Sequence, residues 1–283
     1  MSDSSYKKAW IKSIMNSKKK SKKTKVGIIL PAQLSTNDDY IDLIDTLNSS
    51  NNKLKYYTVK MNRLDWILGL IPSFFSKAYF AGTLIPSKTL AFYLKKVDEA
   101  VLNAVLENDG NIDVTLIAHS IGGWVSRAWL SEHATPELKE TVSKLITLGT
   151  PHQLPPEGNI DQTRGLLKYI TERYPGAYEK NVKYYSVIGK GTEGRLELGN
   201  SFIDTIESLL GYISYSVLSG DGNTIGDGLI SIDAAKLPGA ELITVDNVKH
   251  SDFVPTPGKS LKLNFRWYGS PEEASKSWLT ILK

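Results

Sequence analysis

The sequence predicts an α/β fold, in which a mostly parallel sheet of about six strands carries helices on both faces. The chain has 283 residues, of which 41% are hydrophobic, enough for one large domain with a packed core. Short β-branched or apolar runs alternate with helical stretches, as expected of repeated strand–helix–strand units. Most of these runs are short and apolar, as expected of strands buried on both faces.

Six runs are predicted as strands. They are Lys25 to Leu30, Leu54 to Lys60, Asp113 to Ala118, Val142 to Leu148, Lys183 to Ile188 and Glu241 to Val245. Apolar residues recur at helical spacing in Leu90 to Glu107, which predicts a crossover helix between the second and third strands. Further helices are predicted over Ile121 to Glu132 and Gly165 to Glu172.

Two segments are predicted to form a small cap. Residues 66–86 concentrate five aromatic side chains between glycines and prolines, and residues 201–218 have the periodicity of a weakly charged amphipathic helix. Both are suited to covering an apolar pocket. The alternative is that their aromatic side chains fill core beside the sheet. With this cap, residues 26–283 are expected to form a single domain.

The N-terminus is strongly basic. Residues 1–25 hold nine Lys and one Asp, whereas residues 26–283 hold 25 basic and 29 acidic residues. Because like charges repel, we expect residues 1–25 to form a solvated arm. Its Lys run, residues 18–25, is suited to peripheral contact with an anionic membrane. No aromatic side chain is interleaved in that run to stack on bases, so nucleic acid is not expected as a partner.

The composition excludes several classes of protein. Without Cys the chain has no disulfide and no thiolate nucleophile or ligand, and no two His have ligand spacing, so neither a metal nor another cofactor is expected. No apolar run is long enough to span a bilayer, and lysines among the first fifteen residues disfavour a signal peptide. We expect a cytoplasmic location, with a plastid as the alternative if the basic arm is a targeting segment.

A serine lies at the turn after the third predicted strand. The chain reads Ala118-His119-Ser120-Ile121-Gly122, in which small residues two before and two after Ser120 let strand and helix pass close together. Ala stands at position 118 where this pattern usually has Gly. Unpaired N–H groups at the start of the helix favour developing negative charge. These features predict Ser120 as the nucleophile of an α/β-hydrolase fold.

A serine hydroxyl becomes an effective nucleophile only when a base removes its proton. The chain has four His. His250 follows the sixth predicted strand, at the carboxyl edge of the sheet, and completes the chain order Ser, acid, His of this fold. His119, His133 and His152 all precede the candidate acids. His250 is therefore predicted as the general base.

The supporting acid is sought between the fifth strand and His250. Asp227 is favoured because glycines on both sides let the backbone turn its carboxylate toward an imidazole. Asp221 stays as the alternative acid, and either Asp can merely cap a Gly-rich turn.

The oxyanion hole needs a second backbone N–H besides that of Ile121, normally from the loop after the first strand. Pro31 in that loop has no N–H. Gln33 is therefore predicted as the second donor, with Ala32 as the alternative.

Together these residues resemble a family, the small lipase-like α/β-hydrolases of cyanobacteria, algae and plants, over about residues 26–255. The resemblance rests on Leu30-Pro31, Asp39-Tyr40, Leu64-Asp65-Trp66, the Ala118-to-Trp124 turn with Arg127-Ala128, Leu148-Gly149-Thr150-Pro151-His152, Asp161-Gln162-Thr163-Arg164-Gly165, Tyr174-Pro175-Gly176, Gly226-Asp227-Gly228, Leu237-Pro238-Gly239-Ala240 and His250-Ser251. Relatives usually have Gly where Ala32 stands.

The resemblance implies a triad of Ser120, Asp227 and His250 and a carboxylic-ester substrate such as a lipid. The expected activity is ester hydrolysis through an acyl-enzyme. Two alternatives stay open: an acyltransferase that uses the same acyl-enzyme, and a non-catalytic lipid-binding protein on this fold.

Overall fold

The structure is a computed structural model that describes residues 22–50, 52–197, 199, 201–271 and 277–282. The strands in chain order are β1 Thr24–Leu30, β2 Lys55–Thr58, β3 Ile112–His119, β4 Val142–Leu148, β5 Lys183–Lys190, β6 Thr192–Glu193, β7 Ile225–Gly226, β8 Glu241–Asp246, β9 Phe253–Val254 and β10 Leu261–Lys262. Six of them form a parallel sheet in the order β2-β1-β3-β4-β5-β8. The other four form two short antiparallel pairs, β6 with β7 and β9 with β10.

The α-helices lie between and after these strands. They are α1 Ile41–Ser49, α2 Arg63–Phe74, α3 Lys77–Ala81, α4 Pro86–Thr89, α5 Ala91–Glu107, α6 Ile121–Ala128, α7 Pro136–Lys139, α8 Leu166–Arg173, α9 Phe202–Ser219 and α10 Ile232–Ala235. Short 3-10 helices cover Asn37–Tyr40 and Thr280–Leu282. Among the described residues, no helix is both long and apolar enough to cross a membrane.

The six predicted strands are the six strands of the parallel sheet, with ends that differ by at most two residues. Successive side chains of a strand point to opposite faces, so Ile28 packs with α5 and α6 on one face, and Ile29 packs with α1 on the other. Both layers are buried. The predicted α/β-hydrolase fold, with helices on both faces of the sheet, is confirmed.

Two predicted boundaries are wrong. The helix predicted to run to Glu132 is α-helical only to Ala128 and continues as one π-helical turn, Trp129–His133. This wider turn keeps Trp129 buried while its indole N–H donates to Asp98 of α5 at 2.7 Å. At the N-terminus, Thr24 and Lys25 belong to β1, because they pair with the start of β3. The rest of the predicted arm, up to residue 21, lies outside the described residues.

The first cap segment is partly core and partly surface. Trp66 of α2 is fully buried and meets the ring of Tyr93 edge-on, with centroids 5.2 Å apart. Phe75 and Phe80 are 83% and 76% exposed. Residues 66–86 therefore anchor on α5 through Trp66 and present aromatic side chains outward.

The second segment predicted as cap forms the helix α9. The side chain of Ser201 accepts the N–H of Asp204 and caps its start, and Gly220 ends it with φ 80°, a left-handed conformation that glycine adopts without strain. The outward residues Phe202 and Ile203 are 80% and 68% exposed. After Glu207 the helix contains no charged residue.

Candidate active site

The turn at Ser120 is sharp and strained. Ser120 has φ 53° and ψ −124°, a combination that non-glycine residues adopt only when their surroundings impose it. Its N–H donates to the carbonyl of Leu148 in β4 at 2.9 Å, and its carbonyl accepts the hydroxyl of Thr150 at 2.7 Å. A Cβ on Gly122 would lie 2.8 Å from the carbonyl oxygen of Leu30. The small residue predicted here is what lets α6 pass against β1.

Asp227 and His250 form a buried pair, with Oδ2 of the carboxylate 2.8 Å from Nδ1 of the imidazole. They are 1% and 8% exposed. The other carboxylate oxygen accepts the N–H groups of Leu229 and Ile230, at 3.0 and 2.8 Å. Because a carboxylate only accepts, Nδ1 of His250 donates. This tautomer leaves Nε2 with the lone pair that a general base needs.

Tyr268 completes the surroundings of this carboxylate, and sequence reasoning missed it. Its hydroxyl donates to Oδ2 of Asp227 at 2.7 Å and accepts the N–H of Gly189 at 2.9 Å. Burial raises the pKa of Tyr268 well above its usual value, and the charge of Asp227 raises it further. The phenol therefore stays protonated and donates. Tyr268 lies beyond the stretch that carries the family resemblance, and no local pattern marks it.

Gly149 brings the serine turn and the acid–base pair together. It follows Leu148, which is paired with His119 in the sheet, so Gly149 lies beside Ser120. A Cβ at Gly149 would be 2.5 Å from Oδ2 of Asp227 and 3.0 Å from Nδ1 of His250, and its φ is +56°. The ends of β3 and β4 therefore place Ser120 next to the pair.

His119 links His250 to Tyr40, and through Tyr40 to the loop after β1. Nε2 of His119 donates to the carbonyl of His250 at 2.9 Å, and Nδ1 accepts the hydroxyl of Tyr40 at 2.7 Å. Burial lowers the pKa of His119 well below its usual value, and the neighbouring His250 lowers it further. A neutral His119 can donate on one side and accept on the other, as this bridge requires.

The hydroxyl of Tyr40 also distinguishes between Gln33 and Ala32, the two candidates for the second oxyanion donor. The N–H of Ala32 donates to the hydroxyl of Tyr40 at 2.7 Å and is not free. No described residue accepts the N–H of Gln33 or of Ile121, and both residues line the same cavity as Ser120. The geometry therefore favours Gln33 over Ala32.

The remaining candidates lie elsewhere. Asp221 accepts the N–H of Asn223 at 2.9 Å and caps an exposed turn, so the structure brings Asp227, not Asp221, to the imidazole. His152 is buried with Nε2 3.1 Å from the hydroxyl of Thr147. Within the described ranges, no group of three or more His, Asp or Glu residues is arranged to hold a metal ion.

The candidate residues line two cavities. One, of about 630 Å³, is lined by Asp227, His250 and mostly apolar side chains that include those of α9. The other, of about 220 Å³, is lined by Ser120, Ile121, Gln33 and side chains of α2. Ser120 and His250 thus line different cavities.

Comparison with known proteins supports the fold. A family model described as the PGAP1-like alpha/beta domain matches residues 32–206, a range that contains Ser120 and ends before Asp227 and His250. A search of curated proteins gave no match. A metagenomic carboxyl esterase of known structure is similar over 90% of this chain and 76% of its own, with 13% identity and a TM-score of 0.51. At this identity the likeness establishes the fold alone.

Phospholipase PlaB from Legionella pneumophila is similar over 81% of this chain and 52% of its own. The identity is 14% and the TM-score 0.48, so this second likeness adds no argument about activity.

Proposed function

This chain belongs to the family of the PGAP1-like alpha/beta domain, and on that premise we propose that it is a serine hydrolase that cleaves carboxylic esters through an acyl-enzyme on Ser120. The observation that carries the proposal is the buried contact of 2.8 Å between Asp227 and His250 beside the strained turn at Ser120. A nucleophile, a base and an orienting acid on one edge of the sheet are the parts that acyl transfer needs.

In the proposed reaction, His250 takes the hydroxyl proton as Ser120 attacks the ester carbonyl. The backbone N–H groups of Ile121 and Gln33 stabilise the negative charge on the carbonyl oxygen. His250 then gives the proton to the departing alcohol, and the ester carbon stays bonded to Ser120. Water, deprotonated by the same imidazole, releases the acid. Asp227 holds the tautomer and stabilises the imidazolium.

The surface around the site supports an apolar, lipase- or esterase-like substrate. The two cap helices nearest the cavities expose large apolar side chains, and residues 66–76 and 208–220 contain no charged residue. Exposed apolar surface of this extent is typical of an interaction with lipid or with apolar ligands. It lies at the carboxyl edge of the sheet, where Ser120 and His250 also lie.

The basic residues 18–25 are proposed to give peripheral contact with an anionic membrane. They lead into β1, which begins at Thr24, at the opposite edge of the sheet from Ser120. Binding to vesicles with and without phosphatidylserine, by the whole chain and by a chain lacking residues 1–23, measures this contact separately from ester cleavage. Equal binding by both chains contradicts the proposal for the arm.

An acyltransferase would use the same acyl-enzyme, because the acyl group passes to an alcohol instead of water. Product analysis in the presence of an added alcohol distinguishes the two activities. A non-catalytic lipid-binding protein is the second alternative, and the absence of turnover together with saturable lipid binding would favour it.

The deciding experiment compares wild type with Ser120→Ala on p-nitrophenyl esters of short, medium and long acyl chains. The matched control is Ser126→Ala, which removes a buried hydroxyl from the same helix, where it donates to the carbonyl of Gly122. We expect turnover by wild type and the control, and none by Ser120→Ala, with all three folded by circular dichroism. Equal turnover by Ser120→Ala contradicts Ser120 as the nucleophile.

A further inference from the structure

The larger of the two cavities has no role in the reaction described above. It has a volume of about 630 Å³ and includes Asp227 and His250 in its wall, whereas the cavity at Ser120 has about 220 Å³. Resting on the proposed function, we infer that the larger cavity binds the alcohol part of the ester and the smaller one binds the acyl chain. The substrate class is a neutral ester whose alcohol part is long and apolar and whose acyl part is short.

The chemistry of acyl transfer determines on which side of Ser120 the alcohol part of the ester must lie. During acylation the bond from Ser120 Oγ to the carbonyl carbon forms and the bond from that carbon to the alcohol oxygen breaks. The proton taken from Ser120 passes through His250 to the departing alcohol oxygen. That oxygen must therefore lie on the His250 side, and the alcohol chain continues into the cavity that His250 lines.

The carbonyl oxygen lies on the other side, between the N–H groups of Ile121 and Gln33. These two residues line the smaller cavity together with Ser120. The acyl chain is the remaining substituent of that carbon, and with the alcohol on the His250 side we assign it to the smaller cavity. Leu70 and Phe74 of α2 contribute apolar walls to it.

The walls of the larger cavity select an apolar chain. Phe202, Ile203, Ile206 and Leu210 lie on one face of α9, and Phe265 also lines the cavity. Ile203 and Leu210 are 68% and 59% exposed. A bound alkyl chain would remove this apolar surface from water, with a gain of about fourfold in affinity for each buried CH₂ group.

The charges at this cavity favour a neutral alcohol part over an anionic head group. Lys249 is the cation in the wall, and its ammonium lies 2.5 Å from the carboxylate of Glu207, which also lines the cavity. The ammonium lies 4.3 Å from the ring centroid of Phe265 as well. Because the two charges neutralise each other, the wall offers no net positive charge for a phosphate.

Two isomeric esters test the assignment. Octyl butyrate and butyl octanoate have the same atoms and differ only in which side of the carbonyl is long, so differences in bulk hydrophobicity are small. Initial rates are measured by titration of the released acid with the full chain. We expect kcat/KM for octyl butyrate to exceed that for butyl octanoate by at least tenfold, because four more CH₂ groups are buried on the alcohol side.

Substitutions on α9 test whether the alcohol chain binds in the larger cavity. Leu210→Trp and Ile203→Trp fill the larger cavity from exposed positions on α9, and each should lower the ratio of the two kcat/KM values at least fivefold. Leu209→Trp is the matched control, since Leu209 is 40% exposed on the same helix and does not line the cavity; its ratio should stay within twofold of wild type.

The experiments distinguish a failure of the cavity assignment from a failure of the proposed function. A preference for butyl octanoate, or a ratio unchanged by both cavity substitutions, overturns the assignment while ester hydrolysis at Ser120 stands. Cleavage of neither isomer and of no p-nitrophenyl ester, or full activity of Ser120→Ala, overturns the proposed function itself.

Discussion

Tyr268 and His250 donate hydrogen bonds to the same oxygen of Asp227, at 2.7 and 2.8 Å. Tyr268 therefore shares the negative charge that orients the imidazole, although it contacts no reacting atom. In the proposed reaction it is a positioning residue. Its effect on activity should depend on pH, because the two donors compete for one carboxylate oxygen.

Tyr268→Phe should lower kcat about tenfold, because Asp227 loses a donor that holds its carboxylate in line with His250, and a hydrogen bond to a charged group contributes about 1.5 kcal/mol. With one donor removed, the carboxylate stabilises the imidazolium more strongly, and the rising limb of the pH–rate profile should move to higher pH. The profile is measured from pH 5 to 9. Tyr178→Phe, at a position 48% exposed, is the control. A lower kcat with an unmoved profile would indicate a merely structural role.

Asp227→Asn should reduce kcat by roughly 10⁴-fold, the scale known for the same change at the acid of serine-protease triads. The amide can present N–H to the imidazole, which then adopts the wrong tautomer. Asp221→Asn is the matched control because Asp221 only caps an exposed turn, and it should keep activity within twofold. Steady-state rates of both variants decide between the two acids, and a larger loss in Asp221→Asn would reverse the assignment.

Tyr40→Phe should lower kcat more than it changes KM. The lost hydroxyl releases the N–H of Ala32 and Nδ1 of His119, so the oxyanion loop and the base lose a common support. Leaving buried polar groups unpaired also costs about 1–3 kcal/mol of folding free energy. Tyr184→Phe, which removes a hydroxyl that accepts the N–H of Glu179 far from the site, is the control. It should be destabilised with kcat unchanged, and a kcat loss equal to that of Tyr40→Phe would contradict the link.

Gly149→Ala should abolish most activity. The added Cβ would lie 2.5 Å from Oδ2 of Asp227, at a backbone φ of +56° that Ala adopts only with strain. Gly82→Ala isolates the strain, because Gly82 has φ +65° and no neighbour within 4 Å of the added atom. Gly82→Ala should lose about 1 kcal/mol of stability from backbone strain alone, and Gly149→Ala should lose more because of the added contact; urea unfolding measures both. Full activity in Gly149→Ala would contradict the close approach.

Acid should destabilise the folded chain through His152. Burial, and next the charge of Arg127, lower the pKa of His152 well below its usual value. Below about pH 6.5 the unfolded chain binds a proton that the folded chain does not, so the free energy of unfolding falls as the pH falls. Between pH 7.5 and 5.5 this amounts to about 1.4 kcal/mol. The stability difference between wild type and His152→Gln should shrink by that amount in urea unfolding. A difference independent of pH would contradict a neutral buried His152.

The sequence by itself determined the sheet and the serine turn. A strand buried on both faces is apolar, so the buried run from Val26 to Leu30 predicts β1 up to its last residue. The turn at Ser120 can be predicted because it needs small residues at fixed spacing. Gly122 is one of them, since a Cβ there would lie 2.8 Å from the carbonyl oxygen of Leu30. Both signals are local, since each constraint acts on neighbours along the chain.

Only the tertiary structure decided which residues of the site contact one another. Asp227 and Asp221 both lie in Gly-rich turns, and which carboxylate reaches His250 depends on how the loop crosses the end of the sheet. Gln33 and Ala32 differ only because the hydroxyl of Tyr40 takes one N–H.

Tyr268 reaches Asp227 from 41 residues away in the chain, and Ser120 lines one cavity while His250 lines the other. Such contacts arise from packing between distant segments. A sequence pattern records the burial of a residue but not which distant group it meets there.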